Sequence, residues 1–393
     1  MKKPPFPLRL QPTKAQKSRF FLLLVLFAAA FLAALTLRRP PEETERPSAS
    51  FAPTFAGTVD TVPAPATSAR AYALLDAKSG ALLAAGSEHT RLGMASTTKI
   101  MTALVVLEHR KLSDPVTVNA AAVGTEGSSM YLRAGETLTV EDLLTGLLLA
   151  SANDAAAAFA YEIAGGIDAF AGLMNEKAAA LGLADTHFVN PHGLSAEGHY
   201  TTAADLARLA AFALENDDFR RICATRSAVV GSADGSSRFL RNHNRLLWQY
   251  PGAIGVKTGY TVACGRCLVS AAEREGNRFV AVTLDDRDDW RDHTKLLNYA
   301  FDTFTTFPVA DASFRFRFAG KTFAPPSPVF VTVRKGETPT LDYTVAFQKD
   351  RAAVTFRSGG AKLGTFYLEE TADTCETVRP SDRNVTVPSP SVR

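Results

Sequence analysis

The chain has 393 residues, 46% hydrophobic and 21% charged, an ordinary balance for a globular protein with room for two or three domains. Its net charge of +3 arises from eight basic and no acidic residues among the first 39, which leaves a body of −5 and argues against nucleic acid as the main partner. Four cysteines, Cys223, Cys264, Cys267 and Cys375, are too few for a disulfide scaffold.

In chain order, residues 20–37 come first as a run of 18 with no charge and only Thr36 polar. That length sits at the lower edge of a membrane span and above a usual signal-peptide core. Six basic residues before it predict a cytoplasmic N-terminus and an exported remainder. The run ends in Leu35-Thr36-Leu37-Arg38-Arg39, which lacks a small-x-small cleavage site, so an uncleaved signal-anchor is expected over a cleaved signal. Residues 38–68, rich in Pro, Ser, Thr and Ala, read as a flexible linker.

Order is expected from residue 69. Residues 71–76 and 81–84 read as paired strands about the turn Ala77-Lys78-Ser79-Gly80. A helix is expected from Ser96 to His109, and another over 138–150 after the start signal Thr139-Val140-Glu141-Asp142. Residues 154–164, 168–181 and 203–215 read as further helices, with a Gly-, Pro- and His-bearing loop over 186–200. Strands at 227–230, 266–271 and 278–284 and a helix at 290–304 complete an α+β domain over 69–306, an antiparallel sheet covered by helices. Short alternating strands from 314 to 368 make a small all-β module over 307–372, and 373–393 reads as a disordered tail.

Three motifs carry the chemistry. Ser96-Thr97-Thr98-Lys99 puts a hydroxyl and an amine on one helix face. Serine is a weak nucleophile until a base takes its proton, and a lysine held neutral by burial or by a neighbouring cation is such a base. The spacing alone is common by chance. Ser151-Ala152-Asn153 lies 55 residues further on, between two helices, and Lys257-Thr258-Gly259 lies 161 residues on, just before a strand. Three such motifs in order raise a weak signal to a strong one.

The trio resembles that of the low-molecular-mass penicillin-binding proteins, the serine-type D-alanyl-D-alanine carboxypeptidases. Asn190-Pro191-His192-Gly193-Leu194, Tyr200-Thr201-Thr202-Ala203-Ala204-Asp205-Leu206 and Asn242-His243-Asn244-Arg245-Leu246-Leu247-Trp248 are also similar to that family. The resemblance implies a β-lactamase/transpeptidase-like catalytic domain, with helices on both sheet faces and a helical subdomain, and a β-sandwich-like C-terminal domain. It implies that Ser96 attacks the penultimate D-alanine carbonyl of a peptidoglycan stem peptide while Lys99 takes its proton. The N–H groups of Ser96 and Tyr260 would hold the oxyanion. Ser151 would relay a proton to the leaving D-alanine, and Asn153 would hold the substrate amide and Lys99. Lys257 and Thr258, with Gly259 beside them, would take the terminal carboxylate. It implies no cofactor and no metal, β-lactams as acylating inhibitors, and action at the outer face of the cell membrane or in the wall space. Oligomeric state is open.

Other residues read as structural. Cys264-Gly265-Arg266-Cys267 lacks a second pair, and Cys267 leads into a strand. His187, His192, His199 and His243 have no metal spacing, though His243 lies beside the expected groove. Residues 285–289 read as a solvated turn with helix-start acids rather than a cation site. Glu197 is the position a class A β-lactamase reading would use. A D,D-endopeptidase and a non-catalytic wall-assembly protein are the other rivals.

Overall fold

The computed structural model describes residues 63–371 apart from 312, 319, 349 and 350. The expected membrane segment at 20–37, most of the linker and the tail at 373–393 lie outside the described residues.

Strand β1 (Ala71–Asp76) turns back as β2 (Leu82–Gly86). A 3-10 turn over Ala95–Thr98 runs directly into α1 (Lys99–His109). The small ladder of β3 (Pro115–Thr117) and β4 (Thr137–Thr139) precedes three helices, α2 (Val140–Leu149), α3 (Asn153–Ala164) and α4 (Ile167–Ala180). Next come α5 (Ala203–Ala213), α6 (Asp217–Ala224), the hairpin β5 (Ser227–Gly231) and β6 (Ser237–Arg241), and the single turn α7 (Leu246–Gln249). Strands β7 (Ala253–Thr261), β8 (Gly265–Arg274) and β9 (Asn277–Asp286) lead into α8 (Asp289–Thr303).

Five strands form one antiparallel sheet in the order β2-β1-β9-β8-β7. Both faces are buried, which is why β8 and β9 read as continuous apolar runs. On β9, Val280, Val282 and Leu284 join a core with α1, α2, α3 and α5, while Phe279 and Ala281 join a second core with Leu296, Leu297 and Ala300 of α8. The strand's period of two assigns its residues alternately to these faces. Helix starts follow the local chemistry: Thr139, Thr202 and Asn216 each accept a backbone N–H three residues on.

The C-terminal strands are β10 (Phe304–Ala310), β11 (Phe316–Phe318), β12 (Lys321–Ala324), β13 (Val329–Arg334), β14 (Leu341–Gln348), β15 (Arg351–Ser358) and β16 (Ala361–Thr371). β10 pairs with β13, and the rest form a sheet ordered β11-β12-β16-β15-β14. One apolar cluster, including Val331, Val354, Phe356 and Leu368, unites the two sheets. The expected boundary at 306/307 falls inside β10, and a polar knot sits there. Buried Asp76 accepts from Thr306 Oγ1 at 2.7 Å and Thr332 Oγ1 at 2.8 Å.

Several particulars differ from the sequence expectation. Lys257-Thr258-Gly259 lies within edge strand β7 rather than before a strand. Helix α6 and strand β6 have no counterpart in it; α6 is two turns long, started by Asn216 accepting Phe219 N–H. The acids at 285–289 are only in part a solvated turn: Asp285 and Asp288 are exposed and Asp289 is a helix-start acid of α8, but Asp286 and Asp289 are 2% and 6% exposed. Asp286 accepts from Ser68 Oγ at 2.6 Å and Asp289 pairs with Arg266 at 3.3 Å, so these carboxylates fasten the segment before β1 and the start of β8.

Candidate active site

In a 3-10 turn, side chains three residues apart eclipse one another. Ser96 lies in such a turn and Lys99 follows it, with Lys99 Nζ 2.8 Å from Ser96 Oγ. The residue before the serine, Ala95, has a φ of +46°, a left-handed conformation that costs a non-glycine residue about 1–3 kcal/mol. Its surroundings hold it there. Thr98 Oγ1 donates to Ala95 O at 2.8 Å, and His199 Nε2 lies 2.8 Å from the same hydroxyl. His199 Nδ1 accepts from Val189 N–H at 3.0 Å, so the neutral ring carries its proton on Nε2 and donates to Thr98. Burial pushes that imidazole down to about 4, which keeps it neutral.

Two glycines make the turn's close packing possible. Gly193 has a φ of +89°, and a Cβ there would overlap the Ala95 carbonyl and stand 2.9 Å from Thr98 Oγ1. Gly259 lets edge strand β7 lie against the turn, since a Cβ there would stand 3.0 Å from Ser96 N and 3.1 Å from Met94 O.

Lys99 is fully buried and has three polar neighbours: Ser96 Oγ, Asn153 Oδ1 at 2.6 Å and His192 O at 2.5 Å. A neutral amine has two N–H donors and one lone pair. Two neighbours are carbonyl-type acceptors, so the lone pair is left for the serine O–H. Burial holds this amine well below its ordinary 10.5, and the Lys257 charge adds to the effect against the opposing pull of Asp154. Lys257 is 1% exposed, and burial brings it down to about 7. Lys257 Nζ donates to Thr258 O at 2.8 Å.

Asn153 is fixed at both ends. Its Nδ2 donates to Glu126 O at 2.5 Å and its backbone N–H to Ser128 O at 2.7 Å. The adjacent Asp154 accepts from Ser129 Oγ and from the N–H groups of Met130 and Leu132, which orders the loop opposite β7. Ser151 is 4% exposed with a φ of +59°, a second strained residue at the site. Ser96, Ser151, Thr258, Gly259 and Tyr260 line one cleft of about 660 Å³. Ser151 lines the same cleft as Ser96 and, among the described residues, makes no hydrogen bond to Ser96 or Lys99. His243 also lines the cleft, its imidazole pushed down by partial burial first and by Lys257 next.

The sequence motifs therefore converge, but they are incomplete. The carbonyl of His192, which shares Lys99 with Asn153, has no side-chain signature. The stretch Asn190-Pro191-His192-Gly193-Leu194 was its only trace. Cys223 and Cys267 are buried thiols pushed up to about 12, and Cys267 packs against Gly93 O at 3.6 Å.

A serine against a buried lysine, beside the edge strand of a helix-covered antiparallel sheet, defines a serine-type acyl-transfer enzyme. Residues 58–288 match the D-alanyl-D-alanine carboxypeptidase family, and the chain belongs to that family of serine peptidases. It is 32% identical over 318 residues to D-alanyl-D-alanine carboxypeptidase DacF of Bacillus subtilis, covering 77% of this chain and 82% of the relative. It is 39% identical over 283 residues to DacC of Escherichia coli, covering 67% and 69%. Among solved structures it is similar to penicillin binding protein 5 of Haemophilus influenzae, with a TM-score of 0.69 and 26% identity over 80% of this chain and 99% of that one. It is also similar to the DacD carboxypeptidase of Francisella tularensis, with a TM-score of 0.63 and 25% identity over 81% and 97%.

Proposed function

We propose that this enzyme removes the terminal D-alanine from peptidoglycan stem pentapeptides through an acyl-enzyme on Ser96. The observation that carries the reading is the 2.8 Å approach of Ser96 Oγ to a fully buried Lys99 whose other two neighbours are carbonyl acceptors. Lys99 takes the serine proton as Oγ bonds to the penultimate D-alanine carbonyl. The N–H groups of Ser96 and Tyr260 stabilise the oxyanion, a contribution of about 2.7–4 kcal/mol per donor in related chemistry. Collapse expels D-alanine, whose amine receives its proton by way of Ser151. Asn153 steers the substrate amide. Lys257 and Thr258, with Gly259 keeping the strand close, take the terminal carboxylate. Burial pushes both amines down, and the Lys257 charge adds to the effect on Lys99, which favours the neutral form of the base. Water then hydrolyses the acyl-enzyme. β-Lactams carry a carboxylate and a reactive amide in a similar arrangement, and acylate the same oxygen.

Glu197, the residue a β-lactamase reading would use to activate water, is exposed and outside the residues lining the cleft. The work is done outside the cytoplasm, and residues 20–37 tether the enzyme to the membrane. What supports the tether is the run of 18 uncharged residues at 20–37 with six basic residues before it. Incubating the full chain with a stem pentapeptide tests the proposal: D-alanine is released, and penicillin leaves a lasting adduct on Ser96. Rapid penicillin turnover without D-alanine release would contradict it.

A further inference from the structure

A second pocket, of about 790 Å³, adjoins the catalytic cleft. His243 and Arg245 line both, so the two spaces are continuous along one wall. That wall carries arginines in two different states. Arg238 and Arg266 are paired, with Glu136 at 2.7 Å and Asp289 at 3.3 Å. Arg241 and Arg245 are exposed and have no carboxylate partner among the described residues. Each instead lies against a tryptophan: the Arg241 guanidinium is 5.1 Å from the Trp248 ring centre and that of Arg245 is 5.8 Å from Trp290.

A guanidinium held against an indole face is positioned without using its N–H fork. The cost of ordering a long side chain has been met in advance, and the donors stay available for a planar anion. Arg245 stands in the catalytic cleft itself, and Arg241 stands in the adjoining pocket. Asp289, the carboxylate on the cleft wall, is already engaged by Arg266 and does not neutralise them.

We infer that Arg245, assisted by Arg241, is a specificity-determining pair that binds a free carboxylate carried by the substrate away from the bond that is cut. The inference rests on the proposed carboxypeptidase reading, which assigns the terminal carboxylate to Lys257 and Thr258 and so leaves these arginines without a role. The ligand chemistry is a side-chain carboxylate on the part of the peptide that stays with the acyl-enzyme. A substrate in which that group is amidated would lose the charge and one acceptor.

The test uses pairs of peptides ending in D-Ala-D-Ala that differ in one group, a free side-chain carboxylate or its carboxamide upstream of the scissile bond. Released D-alanine gives kcat/KM for the full chain, and calorimetry on Ser96→Ala gives binding of the same peptides without turnover. The expected acid-over-amide preference is about tenfold, the scale of one charge-assisted hydrogen bond. It acts through KM and binding rather than kcat. Arg245→Gln brings the ratio close to one, and Arg241→Gln lowers it partly. A ratio within one preparation does not depend on how much of a variant has folded. An unchanged ratio in Arg245→Gln, a wild-type ratio near one, or discrimination confined to the C-terminal carboxylate would each overturn the pair. Release of no D-alanine from any peptide, with the binding preference intact in Ser96→Ala, would overturn the carboxypeptidase reading and leave the arginine pair standing.

Discussion

The two sides of the catalytic cleft are built on opposite principles. On one side, Ser96, Lys99, Asn153 and the His192 carbonyl form a closed set of hydrogen bonds in which Lys99 has no exposure at all. On the other, Tyr260 is 65% exposed, and Trp248 and Phe239, 41% and 71% exposed, line the adjoining pocket. The buried side sets protonation and geometry, because low dielectric and fixed donors act strongly there. The side chains of the open side contribute contact area and charge that a long substrate can meet; only the Tyr260 backbone N–H there is assigned to the reacting atoms. Chemistry and recognition are thus separated across a few ångströms, and substitutions on the two sides should behave differently.

The largest expected effect is on the closed side. Ser96→Ala abolishes both D-alanine release and the penicillin adduct, read by mass spectrometry of the intact protein. Next, Lys99→Met lowers the acylation rate by about 10²–10⁴, the usual contribution of a positioned general base, with KM little changed. A variant that acylated penicillin at the wild-type rate would break the assignment of the base. Third, Gly193→Ala strikes the strained turn without touching substrate. The added methyl meets the Ala95 carbonyl at a φ of +89°. A loss of about 1–3 kcal/mol is expected from the backbone conformation, with more from the clash, seen as a lowered midpoint in urea and a slower acylation. The smallest effect belongs to the open side: Tyr260→Ala keeps the backbone N–H and raises KM a few-fold with kcat nearly intact.

Acid sensitivity sharpens the same comparison. His192 and His199 are each pushed down to about 4 and His293 to about 3 from an ordinary 6.5, in every case chiefly by burial. In that range the unfolded chain binds more protons than the folded one, so stability is complete above 6.5 and declines as pH falls towards 4. Thermal unfolding followed between pH 7 and 4 should show this decline, and His199→Gln should flatten it. An unchanged midpoint across that range would contradict neutral burial of these rings.

Much of the architecture could be read from the residues because its signals are local. The apolar runs of β8 and β9, the Thr139 start signal and the Ser96–Lys99 spacing each report on a few neighbours. The position of Lys257-Thr258-Gly259 was less legible: nothing in three residues says whether a strand begins before or after them, and pairing with residues 267–269 decides it. The His192 carbonyl was illegible, because every residue has a carbonyl and only the fold aims this one at Lys99. The burial of Asp286 and Asp289 within the acids at 285–289 was hidden for a similar reason. Exposed turns and buried anchors have the same composition, and Ser68 and Arg266 lie far away in sequence. Whether burial or a second cation holds Lys99 neutral was open in the motif alone; the structure gives burial the larger part and Lys257 the smaller.

The central claim is that Lys99 is a neutral amine beside Ser96. Its most direct test is the titration of Lys99 by NMR in the full chain, with lysine side chains labelled with carbon-13 and the resonance assigned by Lys99→Arg. The account predicts that Lys99 titrates well below the ordinary 10.5 and is uncharged at the pH where D-alanine is released. A Lys99 that holds its proton up to about 10.5 would contradict it.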